Sequence, residues 1–251
     1  MNMYAKTAKR WLKAEMHAHC NLDPVDYRLC RHAPEQLIDR AAQLGYQVLS
    51  FTCHNRDIWN EELADYALRL GIILIPGMEV SVEGKRHVLV YNFHTGSENL
   101  NTLEKIKRYS RPDTLVIAPH PFFPGGTSLD RLLEQNLDVF DAFEYSGFEI
   151  RGVNFNRRVV ELAEKTGKPL VACADVHHLY QLGRTFTWIY AEPNPHSILG
   201  AVKHGSVRIE KSLLSWSEAA GWWATALWRF VFPVNSRPFW KTPRKLSPAR
   251  D

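Results

Sequence analysis

Short apolar runs rich in β-branched residues alternate along this chain with stretches whose apolar residues recur at three- and four-residue spacing. The runs predict strands over Ala14–His19, Tyr46–Cys53, Ile72–Ile75, His87–Tyr91, Thr114–Ala118, Ala142–Tyr145, Pro169–Cys173 and Thr185–Tyr190. The amphipathic stretches predict helices over Pro34–Leu44, Asn60–Leu70, Asn99–Tyr109, Ser128–Gln135, Asn156–Lys165 and Asn194–Lys203. Gly45, Gly71 and Gly167 follow three of them as stop signals, and Pro34 suits a first helical turn. Strands and helices alternating at this spacing predict parallel strands joined by crossover helices, in one α/β domain. No internal repeat, low-complexity segment or linker interrupts the pattern before residue 205.

After residue 211 the pattern changes. Leu213–Phe232 is dominated by apolar residues, and as a helix it aligns Leu213, Trp216, Ala220, Trp223, Leu227 and Phe230 in one stripe. This divides the chain into a body, 1–211, and an aromatic and basic tail, 212–251. Three placements of the tail helix follow: packed on the body or in a homo-oligomer interface, lying on a membrane surface, or spanning it. Glu218 and Arg229 weigh against spanning.

Composition narrows the function. The 251 residues are 45% hydrophobic and 23% charged, which excludes a disordered polar chain. Four cysteines without a CxxC pair exclude a disulfide scaffold, and no apolar signal segment precedes the first strand, so a cytoplasmic setting is expected, with peripheral membrane attachment if the tail provides it. The net charge of +4 is concentrated in the tail, where residues 226–251 carry six Lys/Arg and one Asp. The remaining 25 basic and 26 acidic residues leave the body at −1, which argues against a nucleic-acid polymer as partner.

The chemistry lies in the histidines. Of 11, six fall within or at the end of expected strands: His17, His19, His54, His87, His120 and His177. In an extended chain, His17 shares a face with His19, and Asp175 with His177. In parallel α/β folds the carboxyl ends of strands converge on one face, where sites are built. With Glu79, eight resides before His87, these imidazoles and carboxylates outnumber the ligands of a mononuclear site and suit zinc, manganese or iron. A polynuclear metal site is the expectation. His94, His196 and His204 read as surface residues, His32 as structural, and His178 as support behind His177. Cys20 and Cys53 adjoin ligand candidates but should point into packing, so a cysteine nucleophile is the weaker reading.

The segments EMHAH, FTCH, PGMEVS with RHVLV, APH, and ADVH with LGRTFTWI, in that order from Glu15 to Glu210, resemble the PHP (polymerase and histidinol phosphatase) family of metal-dependent phosphoesterases. The resemblance implies a distorted (β/α)7 barrel with metals at the C-terminal ends of its strands. It implies two to three divalent ions (Mn, Fe or Zn): one held by His17, His19, Glu79 and Asp175; a second by Glu79, His87 and His120; a third by His54, His177 and Asp23. Two departures stand out. Asp23 follows His19 by four residues rather than five, and Cys53 stands where relatives commonly carry Asp.

The function so implied is hydrolysis of a phosphomonoester or small phosphodiester by metal-activated water, with Glu79, Asp175 and His177 at the chemistry. Arg184 is either a phosphate clamp or part of a salt bridge at the rim; Glu144 is a candidate site carboxylate, and Asn55 a substrate or supporting contact. The competing readings are hydrolysis of a C–N or C–O bond on a similar barrel, and a degenerate metal-binding regulatory module attached to a membrane or partner through the tail.

Overall fold

The computed structural model describes residues 8–93, 100–221 and 224. His94 and the tryptophan-rich tail apart from 212–221 and 224 therefore lie outside the described residues. The strands are β1 (Arg10–Ala18), β2 (Val48–Phe51), β3 (Ile73–Ile75), β4 (Gly77–Val82), β5 (Arg86–Tyr91), β6 (Leu115–Ala118), β7 (Ala142–Ser146), β8 (Leu170–Cys173), β9 (Phe186–Ala191) and β10 (Val207–Glu210). The helices are α1 (Pro34–Gln43), α2 (Glu61–Arg69), α3 (Leu103–Tyr109), α4 (Arg131–Gln135), α5 (Arg157–Thr166) and α6 (Pro195–Lys203).

The strands form two five-stranded sheets, ordered β10-β9-β1-β2-β3 and β4-β5-β6-β7-β8. Parallel pairing is confined to β1–β2–β3 and β6–β7–β8. β9 runs antiparallel to β1 and β10, and β5 runs antiparallel to β4 and β6. The expectation of parallel strands is thus correct for the βαβ stretches only. Its chief omission is the β4–β5 hairpin, whose first strand is hidden in PGMEVS because Pro76 and Gly77 read as a turn. Gly77 has a packing role: a Cβ there would lie 2.8 Å from the Tyr91 ring. Short, half-polar β10 was also missed, since an edge strand buries too little to leave a pattern.

Among the described residues the two ladders do not close into one ring. Single bridges join them instead, between His54 and Glu79 on one side and Ala18 and Val176 on the other. The Thr187 hydroxyl adds a link by bonding both the N–H and the carbonyl of Ala172, at 2.8 and 2.9 Å.

Strand alternation explains the near-continuous apolar runs. Val48, Ile73, Ile75, Leu89, Tyr91, Leu115 and Ile117 share a core contributed by both sheets and covered by α6. Their neighbours face the other way: Leu49, Phe51, Ile72 and Leu74 under α1 and α2, and Val88, Val90, Val116 and Phe143 beneath α3 to α5. Both faces are therefore buried. Each fully buried Leu or Ile contributes roughly 1.5–3 kcal/mol, which makes these sheets a stiff frame for whatever their ends carry. The helices are ended locally. Asn60, Thr102 and Asn194 cap α2, α3 and α6 by accepting from Leu63, Lys105 and Ser197 N–H groups. Gly167 ends α5 at φ 70°, a left-handed conformation that suits glycine. Ser128 was expected to open α4; its hydroxyl instead bonds the carbonyls of His120 and Phe123, and the helix starts at Arg131. No helix among the described residues is long and apolar enough to cross a membrane.

Candidate metal centre

Six histidines, Glu79 and Asp175 meet where the two sheets adjoin. His17 lies near the end of β1 and His19 just beyond it, and the pairing of β1 with β2 is irregular between Glu15 and Ala18. His54 and Asn55 follow β2, and Glu79 arrives on β4 through the bridge to His54. His87 lies on β5, His120 beyond β6, and Asp175 and His177 beyond β8. The turns that aim these side chains are strained: Asn55, His120 and Asp175 have φ of 50°, 57° and 48°. Such backbone costs on the order of 1–3 kcal/mol per residue and persists where the surroundings enforce it.

The innermost set is four atoms. His17 Nε2 lies 3.5 Å from Glu79 Oε2 and 3.3 Å from Asp175 Oδ1; His19 Nε2 lies 3.5 and 3.2 Å from the same two oxygens. Ligands about 2.0–2.1 Å from a tetrahedral ion are roughly 3.3–3.4 Å apart, so the spacing fits one cation. Of this set, His17 Nε2, His19 Nε2 and Asp175 Oδ1 are buried polar atoms without a hydrogen-bond partner. Burying such atoms unmatched costs about 1–3 kcal/mol each, a penalty that a shared cation removes.

The opposite ring nitrogens are committed. His17 Nδ1 donates to Glu144 Oε2 at 2.7 Å and His19 Nδ1 to Asp23 Oδ2 at 2.8 Å, leaving the Nε2 lone pairs aimed inward. Glu144 is thus a carboxylate that orients His17 from behind. Glu79 faces both ways: its Oε1 lies 2.7 Å from His87 Nδ1 and 3.4 Å from His120 Nε2, while its Oε2 serves the first set. One carboxylate between two groups of imidazoles is the arrangement a bridging ligand needs.

The residues expected around a third ion are arranged differently. Asp23 Oδ2 accepts from His19 Nδ1, His54 Nδ1 and the His54 N–H, and its Oδ1 accepts from the N–H groups of Val25 and Asp26. His54 turns its Nε2 to Glu79 Oε2 at 3.1 Å. His177 places Nδ1 2.9 Å from the Asp175 carbonyl and Nε2 3.0 Å from Asp26 Oδ2. The acid facing His177 is therefore Asp26, which the sequence reading passed over; its only signal was a second Asp in the DPVD turn. His19, Asp23, Asp26 and His54 together still bring ligand atoms within the span of one ion.

Charges are strongly coupled here. Burial alone would depress the His17 and His19 imidazoles, yet Asp175 with Glu144 and Glu79 around His17, and Asp175 with Asp23 around His19, hold both well above the usual histidine value. Burial would likewise raise Glu79 and Asp175, and the surrounding imidazoles outweigh it and hold both carboxyls well below their usual range. Glu15, also passed over, is pushed up to about 8 by burial. It accepts from the N–H groups of His17 and Ala174, at 3.0 and 3.1 Å, and so ties β1 to the loop bearing Asp175.

The remaining candidates have ordinary roles. Asn55 clasps Ser81 through its side chain, joining the end of β2 to β4. His32 Nε2 donates to the His19 carbonyl at 2.8 Å, and His178 stacks on Tyr180. His196 and His204 are exposed. Cys20 and Cys53 are buried with Sγ atoms 3.7 Å apart, packed behind the site. Hydrogen bonding to Cys20 and burial hold the Cys53 thiol well above its usual value, which removes it as a nucleophile. Arg184 forms an ion pair with Glu218. Both line a cavity of about 470 Å³ whose lining also includes His120 and Asp175.

Residues 153–207, which run through Asp175, His177 and Arg184, match a family model described as PHP-associated. Over that stretch the chain is similar to the PHP-associated model, and its likeness to solved structures is one of fold. Its fold is similar to PsfC from Pseudomonas syringae, with 18% identity, coverage of 90% of this chain and 99% of that one, and a TM-score of 0.59. A putative metal-dependent phosphoesterase from Bifidobacterium adolescentis matches at 13% identity over 66% of this chain and 87% of that one, with a TM-score of 0.51. The lesion-specific endonuclease PfuEndoQ from Pyrococcus furiosus matches at 17% identity and a TM-score of 0.54, over 80% of this chain and 58% of the endonuclease.

Proposed function

We propose that this chain is a PHP-type metal-dependent phosphoesterase that hydrolyses a phosphomonoester or small phosphodiester. The observation that carries the reading is the convergence of unpartnered buried nitrogens and carboxylate oxygens on two adjoining points that share Glu79. Similarity of fold to a putative metal-dependent phosphoesterase and to a DNA endonuclease supports phosphorus as the reacting centre. In the same reading, the two sheets, bridged at His54–Glu79 and Ala18–Val176, are the halves of the distorted (β/α)7 barrel.

His17, His19, Glu79 and Asp175 would hold one divalent ion, and Glu79, His87 and His120 a second; Mn, Fe and Zn all suit this donor set. His54, His177 and Asp26 flank the pair and are the groups from which a third position would be drawn, with Asp23 behind them. Such ions, when bound, supply Lewis acidity that lowers the pKa of water and neutralises phosphate charge. The protein's own part is to hold geometry. Glu144 and Asp23 fix the His17 and His19 rings, Glu79 keeps the two positions adjacent, and the β8 turn presents Asp175. Arg184, at the cavity wall, is placed to bind a phosphate oxygen once it leaves Glu218. The His177 imidazole lies between two oxygen acceptors and adds a hydrogen-bonded proton at the edge of the site.

Metal analysis of the purified full chain, with phosphate release from a panel of esters by wild type, His17→Ala and Asp175→Ala, tests this. Two or more ions per chain, and turnover lost in both variants, are expected. Absence of metal after reconstitution sinks the reading. Metal retained with no release above the variants' background transfers the case to a metal-binding module.

A further inference from the structure

The cavity beside the cluster has a composition the proposed chemistry does not use. Beyond His120 and Asp175, Phe123, Phe148, Tyr180 and Leu214 give it an apolar side, with uncharged polar residues such as Ser146 and Gln181 beside them. Phe123 meets Phe148 edge to face at 5.5 Å and Phe155 at 4.9 Å, so this wall is a braced aromatic surface. Among the described residues, the charged side chains lining it away from the cluster are Arg184 and Glu218, and they neutralise each other.

Part of the wall comes from after the last strand. Leu214 is fastened to the 149–151 turn by two main-chain hydrogen bonds, its N–H to the Glu149 carbonyl at 2.8 Å and its carbonyl from the Arg151 N–H at 3.2 Å. Residues 216–221 are helical and bring Glu218 and Gly221 to the cavity. Ser215 holds the Glu218 carboxylate through its N–H and hydroxyl, both at 2.9 Å. The start of the segment set apart in the sequence reading therefore closes one side of the cavity.

We propose that this cavity receives the alcohol half of the substrate and selects a compact phosphate monoester of an uncharged, flat ring alcohol. The assignment rests on the phosphoesterase reading and adds the substrate class. The volume, about 470 Å³, admits a one- or two-ring alcohol. The aromatic wall favours a ring. Arg184 and Glu218 neutralise each other, so among the described lining residues no unpaired cation is left for an anionic group on the alcohol. In the reaction, the oxygen of water forms a bond to phosphorus and the ester P–O bond breaks with its electron pair on the ring alcohol's oxygen. That oxygen takes up a proton released by the water, so one ester and one water give one phosphate and one free alcohol.

The test compares 2-naphthyl phosphate with glycerol 2-phosphate on the metal-loaded full chain, alongside an abasic-site DNA duplex, and measures 2-naphthol binding to the metal-free chain by fluorescence. We expect kcat/KM to favour the naphthyl ester at least ~10-fold, and Phe148→Ala or Leu214→Ala to reduce that ratio several-fold and weaken naphthol binding in parallel. Equal turnover of the two esters, or an unchanged ratio in both variants, overturns the substrate class and leaves the phosphoesterase reading standing. Faster cleavage of the duplex than of either ester overturns it in favour of a polymer. If no ester is hydrolysed, the phosphoesterase reading fails by itself, and naphthol binding then decides the cavity: none, or binding indifferent to both variants, overturns the ring site.

Discussion

Asp23 Oδ2 accepts from both the main-chain N–H and the Nδ1 of His54, at 2.9 and 3.0 Å, while also accepting from His19 Nδ1 at 2.8 Å. One carboxylate oxygen thus sets the ring orientation of two candidate ligands on different strands. It also bears on Cys53, where the family resemblance leads to an expectation of Asp. The support for His54 comes from Asp23, and Cys53 is free to pack against Cys20.

Asp23→Ala is therefore expected to weaken metal binding about 10–100-fold, the usual cost of removing a carboxylate behind a ligating imidazole. Competition with a chromogenic chelator measures it. An affinity within twofold of wild type would show that Asp23 does not orient His19 and His54.

Glu79→Ala should have the broadest effect on metal content, because both expected ion positions use this side chain. His87→Ala should deplete one position, and Glu79→Ala both. Elemental analysis after dialysis distinguishes the two; equal losses would contradict a bridging role.

The pH dependence follows from the shifted imidazoles. Ligation needs His17 and His19 deprotonated at Nε2, and in the metal-free chain their neighbouring carboxylates raise both pKa values well above the ordinary one. Metal uptake should therefore release protons at neutral pH, and affinity should climb with pH until those raised values are passed. Stability of the metal-free chain runs the opposite way. The raised imidazoles contribute stability that is complete below the unfolded value of about 6.5 and lost as pH rises through their folded values. The depressed carboxyls of Glu79 and Asp175 contribute above the ordinary carboxylate range and lose that contribution as pH falls through their folded values. The gap in Tm between metal-loaded and metal-free protein should consequently widen from pH 6 to pH 9. A constant gap in thermal unfolding would refute this coupling.

Cys53→Ala should cost about 1–2 kcal/mol in unfolding free energy, the lower end of what removing a buried side-chain atom in a close-packed core produces, and should leave metal content unchanged. Chemical denaturation and elemental analysis on the same preparation check both halves. Loss of metal in this variant would make Cys53 a site residue.

Much of this molecule can be read along the chain. Strands such as Leu115–Ala118 and helices such as Glu61–Arg69 follow from side-chain periodicity and from caps like Asn60, all interactions within a few residues. The doublets His17/His19 and Asp175/His177 follow from the two-residue repeat of extended chain. What the pattern left out needed partners distant in sequence. β4 exists because Glu79 and its neighbours pair with β5 and meet His54. Glu144 finds His17 across 127 positions, and Asp26 rather than Asp23 faces His177. Arg184, open to two readings in the sequence, is paired in the fold with Glu218, from the segment read as a separate tail. Periodicity determines which side chains reach the strand ends. Which nitrogen of each imidazole points inward depends on a carboxylate behind the other nitrogen, and only the folded chain brings that carboxylate within hydrogen-bonding distance.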